Sequence, residues 1–364
     1  MKRTLLLLVV LSIVPTAARA TTATATRKAA WRVAQAAYRH GDYREAFADF
    51  RRLAVRGYAP AEVKVGLLYK VGRGVTRNFA KALKWLRRAV AQGDARAKAE
   101  LGWMYAGGFG VPRSNTKAFE WIHRAALQNY APAEASISLM YQAGIGVRAS
   151  DAKALKWLRR SAVQGYPGGE DLLGVMYLRG LGVPRSYAKA LKWLRRAAAQ
   201  HHELAEVYVA SMYAKGLGVP RNYAKALKWY RRAAVQGDAI AEIVLGQMYV
   251  LAQGTPRNLV KSYKWYLIAE RSEPATSLRR GKVSKTLKLL ATRMSPAQLA
   301  QARREASAWL AMHAKKGTSK KWYRRAAVQG AAHAEATLGL MYRRGQGVPR
   351  SEAKALTRYR RAAA

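Results

Sequence analysis

The chain is 364 residues long, with 66 lysines and arginines against 20 aspartates and glutamates, and it contains no cysteine. That composition excludes disulfide bracing, thiolate metal sites and the lipidated cysteine of a lipoprotein. The formal charge of +46 creates a field that draws acidic proteins, anionic polymers or lipid headgroups, and it says nothing of fold.

Residues 1–20 read as an export signal. A basic start, Met1-Lys2-Arg3, leads into an apolar run from Leu5 to Val14. Pro15 breaks that run, and Ala18-Arg19-Ala20 puts small residues where a signal peptidase cuts. An uncleaved membrane helix is the alternative, but the run is too short to anchor one. Cleavage after Ala20 is expected, and the loss of Lys2, Arg3 and Arg19 lowers the formal charge from +46 to +43. An exported chain without cysteine suits the bacterial periplasm or secretion. No later stretch is apolar enough to span a membrane, so the mature chain is expected to have no transmembrane segment.

Residues 21–58 are expected to form an N-terminal cap. Within them HGDYREAFADFRRLAVRG (40–57) resembles one tetratricopeptide-type helical hairpin.

From residue 59 to 271 the chain repeats itself. Tyr69, Tyr105, Tyr141, Tyr177, Tyr213 and Tyr249 step by 36, as do Trp85, Trp121, Trp157, Trp193, Trp229 and Trp265. Six copies in one register predict an all-α solenoid of helix-turn-helix units, each unable to bury its apolar face alone. In each copy the first helix reads like AEIVLGQMY (241–249). Its glycine (Gly66, Gly102, Gly174, Gly246) admits a neighbouring helix. A GxG turn such as Gly180-Leu181-Gly182 ends it through positive φ, and Pro184 or Pro220 prevents continuation. No strand precedes these glycines, so they are not a phosphate loop.

The second helix, YAKALKWLRRAAAQ (187–200), puts Ala190, Leu191, Trp193, Leu194 and Ala197 on one face. Lys189, Lys192 and Arg196 lie on the opposite face, with Arg195 at its edge. The repeating tryptophan is therefore expected to be a core wedge. Gln164-Gly165 and Gln236-Gly237 close this helix, while Asp94 or Asp238 caps the next.

The pattern A-x-A-x-x-x-L-G-x-M-Y-x-x-G-x-G-V followed by A-L-K-W-Y-R-R-A-A-x-Q-G resembles the Sel-one-like repeat, a relative of the tetratricopeptide repeat. The resemblance covers about 60–271 and 321–364. It implies a right-handed α-solenoid acting as a protein–protein adaptor, in bacteria often in envelope processes, polysaccharide assembly or host contact. Cysteine-rich relatives are linked to penicillin binding, and this chain lacks the cysteines. Residues 272–320 break the register, since Trp265 and Trp322 are 57 residues apart. Ser295-Pro296 starts an amphipathic helix there, which either caps the array or packs inline. A half-hairpin and a final repeat are expected at 321–364.

Catalytic and metal chemistry find little support. The six histidines form no i,i+4 pair, and glutamates recur at the starts of first helices, where a negative charge suits the helix terminus. No cofactor is expected. A cell-wall or β-lactam-related enzyme remains an alternative, and it would need a single deep, non-repeating pocket.

Partner binding is expected where copies differ. Two residues before and one after the repeat tyrosine, the candidates for a protein-binding groove are Leu67, Lys70, Trp103, Leu139, Gln142, Val175 and Leu178. Trp103 is the strongest hot-spot candidate. A second surface is a basic ladder of Lys81, Lys84, Arg88, Lys153, Lys156, Arg160, Lys189, Lys192, Arg196, Lys225, Lys228 and Arg232. It lacks i,i+4 acids and so repels itself. Anionic polysaccharide or a lipid surface would relieve that repulsion; nucleic acid is not expected for an exported chain.

Overall fold

The computed structural model describes the backbone of residues 16–273 and 277–314 and the side chains between 25 and 313. Most of the expected export signal, and the half-hairpin and final repeat expected at 321–364, lie outside the described residues. Every regular element among the described residues is an α-helix.

In chain order these are α1 (Thr16–His40), α2 (Tyr43–Val55), α3 (Ala59–Val71), α4 (Phe79–Ala91), α5 (Ala95–Gly107) and α6 (Asn115–Leu127). They continue with α7 (Ala131–Ala143), α8 (Asp151–Val163), α9 (Pro167–Arg179), α10 (Tyr187–Ala199), α11 (Glu203–Lys215) and α12 (Tyr223–Val235). The last four are α13 (Ala239–Val250), α14 (Leu259–Ser272), α15 (Leu278–Ala291) and α16 (Pro296–Ala314). The chain divides into two compact units between Leu101 and Gly102, inside α5.

The turn between the two helices of a repeat is built from backbone. Gly180 ends α9 in the left-handed region, and its N–H donates to the carbonyl of Met176. Ser186 then starts α10 twice over. Its N–H donates to the carbonyl of Tyr177 at 2.9 Å, and its hydroxyl accepts from the Lys189 N–H at 3.4 Å. Asn222 does the same for α12, with 2.8 Å on both contacts. These side-chain oxygens satisfy donors that a helix start leaves free. The second glycine of the turn reaches the previous repeat. A Cβ on Gly146 would stand 2.1 Å from the Asn115 carbonyl oxygen, which only glycine avoids.

In the first unit, α1 and α2 close over Ala34, Ala46, Phe50 and Leu53, with Trp31 packed 5.1 Å from Phe50. α2 packs on α3, and α3 on α4. Gly66 allows α3 to approach α4 closely, since a Cβ there would meet Leu86 Cγ at 2.9 Å.

In the second unit each helix from α6 to α14 packs on the next, and first helices also meet across repeats, as α7 meets α9. Small residues let the helices close up. Ala190, Leu194, Ala197 and Ala198 of α10 are fully buried against Leu173, Val209, Ala210 and Met212. α15 and α16 both pack on α14, where Val283, Leu287, Leu290 and Ala302 bury Tyr263 and Tyr266. Ser295 caps α16 by accepting from the Gln298 N–H, and the Gln298 side chain accepts from the Ser295 N–H in return.

Candidate interaction surface

The recurring glutamate does more than sit at a helix start. Glu62, Glu134, Glu170 and Glu206 are fully buried, each facing the second helix of its own repeat. There it meets an arginine from that helix and a glutamine at the helix end. Arg196 Nε lies 2.7 Å from Glu170 Oε1, and Gln200 Nε2 donates to Oε2 at 2.9 Å. The pairs Arg88–Glu62 at 3.0 Å, Arg160–Glu134 at 2.9 Å and Arg232–Glu206 at 2.9 Å repeat the arrangement. The same arginines stack on the repeat tryptophans, Arg196 at 4.8 Å from the Trp193 ring centre and Arg232 at 4.5 Å from that of Trp229. Burial pushes the Glu62, Glu134 and Glu206 carboxyls up, and the facing arginine opposes that effect.

Two expectations are corrected by this arrangement. Arg88, Arg160, Arg196 and Arg232 are not rungs of an unpaired basic ladder, because each is spent on a buried carboxylate supplied from outside its own helix. The tryptophans are not full core wedges either. Trp85, Trp121, Trp157, Trp193 and Trp229 are half-buried, one face covered by arginine, and Trp265 alone of the six is buried. The lysines Lys81, Lys84, Lys153, Lys156, Lys189, Lys192, Lys225 and Lys228 are exposed as expected.

The seven first-helix candidates are all half-buried. In the first unit, Leu67 and Lys70 stand on α3. Lys70 is tied to Glu100 at 3.0 Å. In the second unit, Val175 and Leu178 on α9 lean on the main apolar cluster. Trp103, Leu139 and Gln142 complete the set on α5 and α7.

One polar cluster was missed. Asp171 stands where other copies carry Val63, Ala135, Val207 and Ile243, and it is buried beside α11. Its Oδ1 lies 3.9 Å from His202 Nδ1, and neither atom has a hydrogen-bond partner. Arg179 donates to the Tyr208 hydroxyl at 3.3 Å nearby. Burial raises the Asp171 carboxyl to about 6, against the pull of His202 and Arg179. An aspartate breaking an apolar series was the available signal. Among the described residues no three His, Asp or Glu side chains are grouped to hold a metal, and no helix is long and apolar enough to cross a membrane.

The comparisons with known proteins agree with this geometry. The model of the Sel1 repeat matches residues 59–94, 95–130, 131–166, 170–202, 204–238, 239–272, 316–330 and 332–364, well over half of the chain. The chain belongs to the Sel1 repeat family. Two solved Sel1-type structures resemble it at 29% identity and a TM-score of 0.58. One is a protective antigen present in uropathogenic Escherichia coli strains, displaying an SLR fold; the match covers 87% of this chain and 64% of that one. The other is a Sel1 repeat protein from Oxalobacter formigenes, with 68% of this chain and 98% of that one covered. No curated protein matches the chain.

Sel1 repeats generally mediate protein–protein interaction, and the family is typically non-catalytic. The division of labour within each Sel1 unit follows from the contacts above. The second helices α4, α8, α10 and α12 keep nearly one sequence, and in each of them a glutamate, a glutamine and a tryptophan meet the same arginine. First-helix positions flanking the tyrosine are under no such constraint, and there the residues differ from copy to copy.

Proposed function

We propose that the chain is a non-enzymatic scaffold, exported to the periplasm, that holds a protein partner on the first-helix face of its second unit. The observation that carries this reading is the set of half-buried, non-repeating residues Trp103, Leu139, Gln142, Val175 and Leu178 in a unit whose second helices α8, α10 and α12 are nearly identical. A large aromatic left partly open to water is the kind of residue that dominates binding energy at an interface. The uropathogenic relative is a protective antigen, which supports placing this chain outside the cytoplasm and in contact with envelope or host components.

Affinity capture from envelope extracts tests the reading, with the wild-type chain beside Trp103→Ala. The wild type is expected to retain a defined protein, and the variant to lose about 2 kcal/mol of affinity for it, some thirtyfold. Equal retention by a correctly folded variant removes Trp103 from the interface. Retention of no protein beyond that held by a basic control of equal charge removes the scaffold reading. Cell fractionation with the mature N-terminus sequenced tests export, and an intact Met1 in the cytosolic fraction rejects it.

A further inference from the structure

With Arg160, Arg196 and Arg232 assigned to buried glutamates, the other cations of the second helices form a different pattern. Arg159 on α8 donates to the Tyr177 hydroxyl at 3.5 Å, and Lys189 on α10 places Nζ 5.5 Å from the centre of the same ring. One repeat on, Arg195 donates to the Tyr213 hydroxyl and Lys225 lies 5.5 Å from that ring. At the third junction Arg231 donates to Tyr249 at 2.5 Å, with Lys261 at 5.7 Å. Each junction between successive repeats therefore brings two exposed cations, one from each repeat, onto a single tyrosine.

The helices that carry these cations supply little negative charge: α10 and α12 carry no acid, and Asp151 opens α8. Glu270 lies near the far end of α14, where it accepts from the Ser284 hydroxyl. Of the first-helix acids, Glu134, Glu170, Asp171, Glu206 and Glu242 are buried, and Glu203 is half-buried in the first turn of α11, away from Tyr213 near the end of that helix. A tyrosine face attracts a cation without cancelling its charge. An oxyanion set between the members of a pair would meet an arginine fork on one side and a lysine ammonium on the other.

We propose that these three junctions form a docking row for a linear anionic polysaccharide, with an acidic group of the polymer at each junction. Two features select that partner. The residues are identical at all three junctions, which suits a ligand that is itself a repeat; a protein would present different side chains at each. The tyrosines are 9%, 6% and 3% exposed and so offer no platform for stacked bases, the usual device for holding single-stranded nucleic acid. The cations of the row lie on second helices and its tyrosines on first helices; the proposal does not rest on the scaffold reading, and its test needs no protein partner.

Polygalacturonate is the probe, titrated into the purified protein between about 50 and 200 mM salt, with neutral dextran as control. Binding is expected to weaken steeply with salt, and dextran is expected not to bind. Arg159→Gln with Lys189→Gln should lower affinity about fivefold and flatten the salt dependence. The charge-matched pair Lys285→Gln with Lys288→Gln, on the exposed side of α15, should change neither. Circular dichroism confirms that each variant is folded; Arg195→Gln with Lys225→Gln replaces the first pair should it fail. Equal losses in the two double variants overturn the proposal in favour of bulk net charge. No binding at the lowest salt overturns it outright. So does tighter binding of single-stranded DNA or of phosphatidylglycerol vesicles at matched charge.

Discussion

Asp171→Asn is expected to stabilise the protein at neutral pH and to leave it unchanged in acid. The carboxyl is buried on α9, with an oxygen that no donor reaches, and its pKa rises from 3.8 to about 6 because burial disfavours the charged form. A tenfold change in a protonation equilibrium corresponds to about 1.4 kcal/mol, so the ionised aspartate costs the folded state about 3 kcal/mol. The pKa is higher in the folded chain than in the unfolded one. The cost is therefore absent below about pH 4, grows as pH rises, and is complete above about pH 6. Asparagine keeps the shape and removes the charge. His202, Arg179 and Tyr208 face the group, and His202 pulls the other way, since a protonated imidazole favours the carboxylate. Urea unfolding of both proteins between about pH 4 and 8, followed by circular dichroism, reads out the difference. A gain that does not vary with pH refutes the reasoning, as does a loss of stability at neutral pH.

Arg196→Gln should destabilise by about 1–2 kcal/mol, less than a fully buried pair because the arginine side chain is 46% exposed. Adding Glu170→Gln should recover most of that loss, and strict additivity in the double-mutant cycle would deny the coupling. Gly146→Ala should cost more than Gly93→Ala in thermal unfolding. Both residues have positive φ, but a Cβ on Gly146 strikes backbone at 2.1 Å, whereas at Gly93 nothing lies within 4 Å; equal costs would leave only the backbone conformation at work. Ser186→Ala should cost about 1 kcal/mol in urea unfolding through loss of the α10 cap, while Ser186→Asn should not.

Much of the fold is legible in the sequence, because burial in a repeat obeys local periodicity. The wheel of 187–200 assigns Ala190, Leu191, Leu194 and Ala197 to the core, and all four are buried. Asp94 and Asp238 each accept from a backbone N–H at 2.7 Å, as helix-start logic expects. Gly66 and Gly174 sit at close helix contacts for the same local reason. What fails to read through is set by reach across helices. A wheel places Arg196 on the solvent side, yet its long side chain bends back over Trp193 to a glutamate 26 positions earlier. No periodicity within one helix records that partnership. Trp193 sits on the apolar face of the wheel, but the arginine lying over its ring, not a neighbouring helix, covers part of it. Asp171 is hidden differently: its oddity shows only in the alignment of copies, and its burial only once α11 is in place. The candidate contact residues stand out as a set because variation among copies is visible in the sequence, but the engagement of Lys70 by Glu100, 30 residues on, is not.

The seam between repeats passes largely through main-chain atoms and small residues, as where Gly146 rests on the carbonyl of Asn115 and Gly254 on the backbone of Tyr223. Such a seam is indifferent to which copy stands on either side. Residues 180–200 and 216–236 are also nearly the same text, so one such hairpin could be exchanged for the other or added beside it. A copy gained or lost by that route keeps its register, since the unit exchanged is a whole hairpin. Lys70 with Glu100 and Arg179 with Tyr208 are exceptions, side-chain matches that tie a particular copy to its successor. Array length can therefore drift through evolution wherever the seam is generic, while the junctions tied by such matches resist being separated.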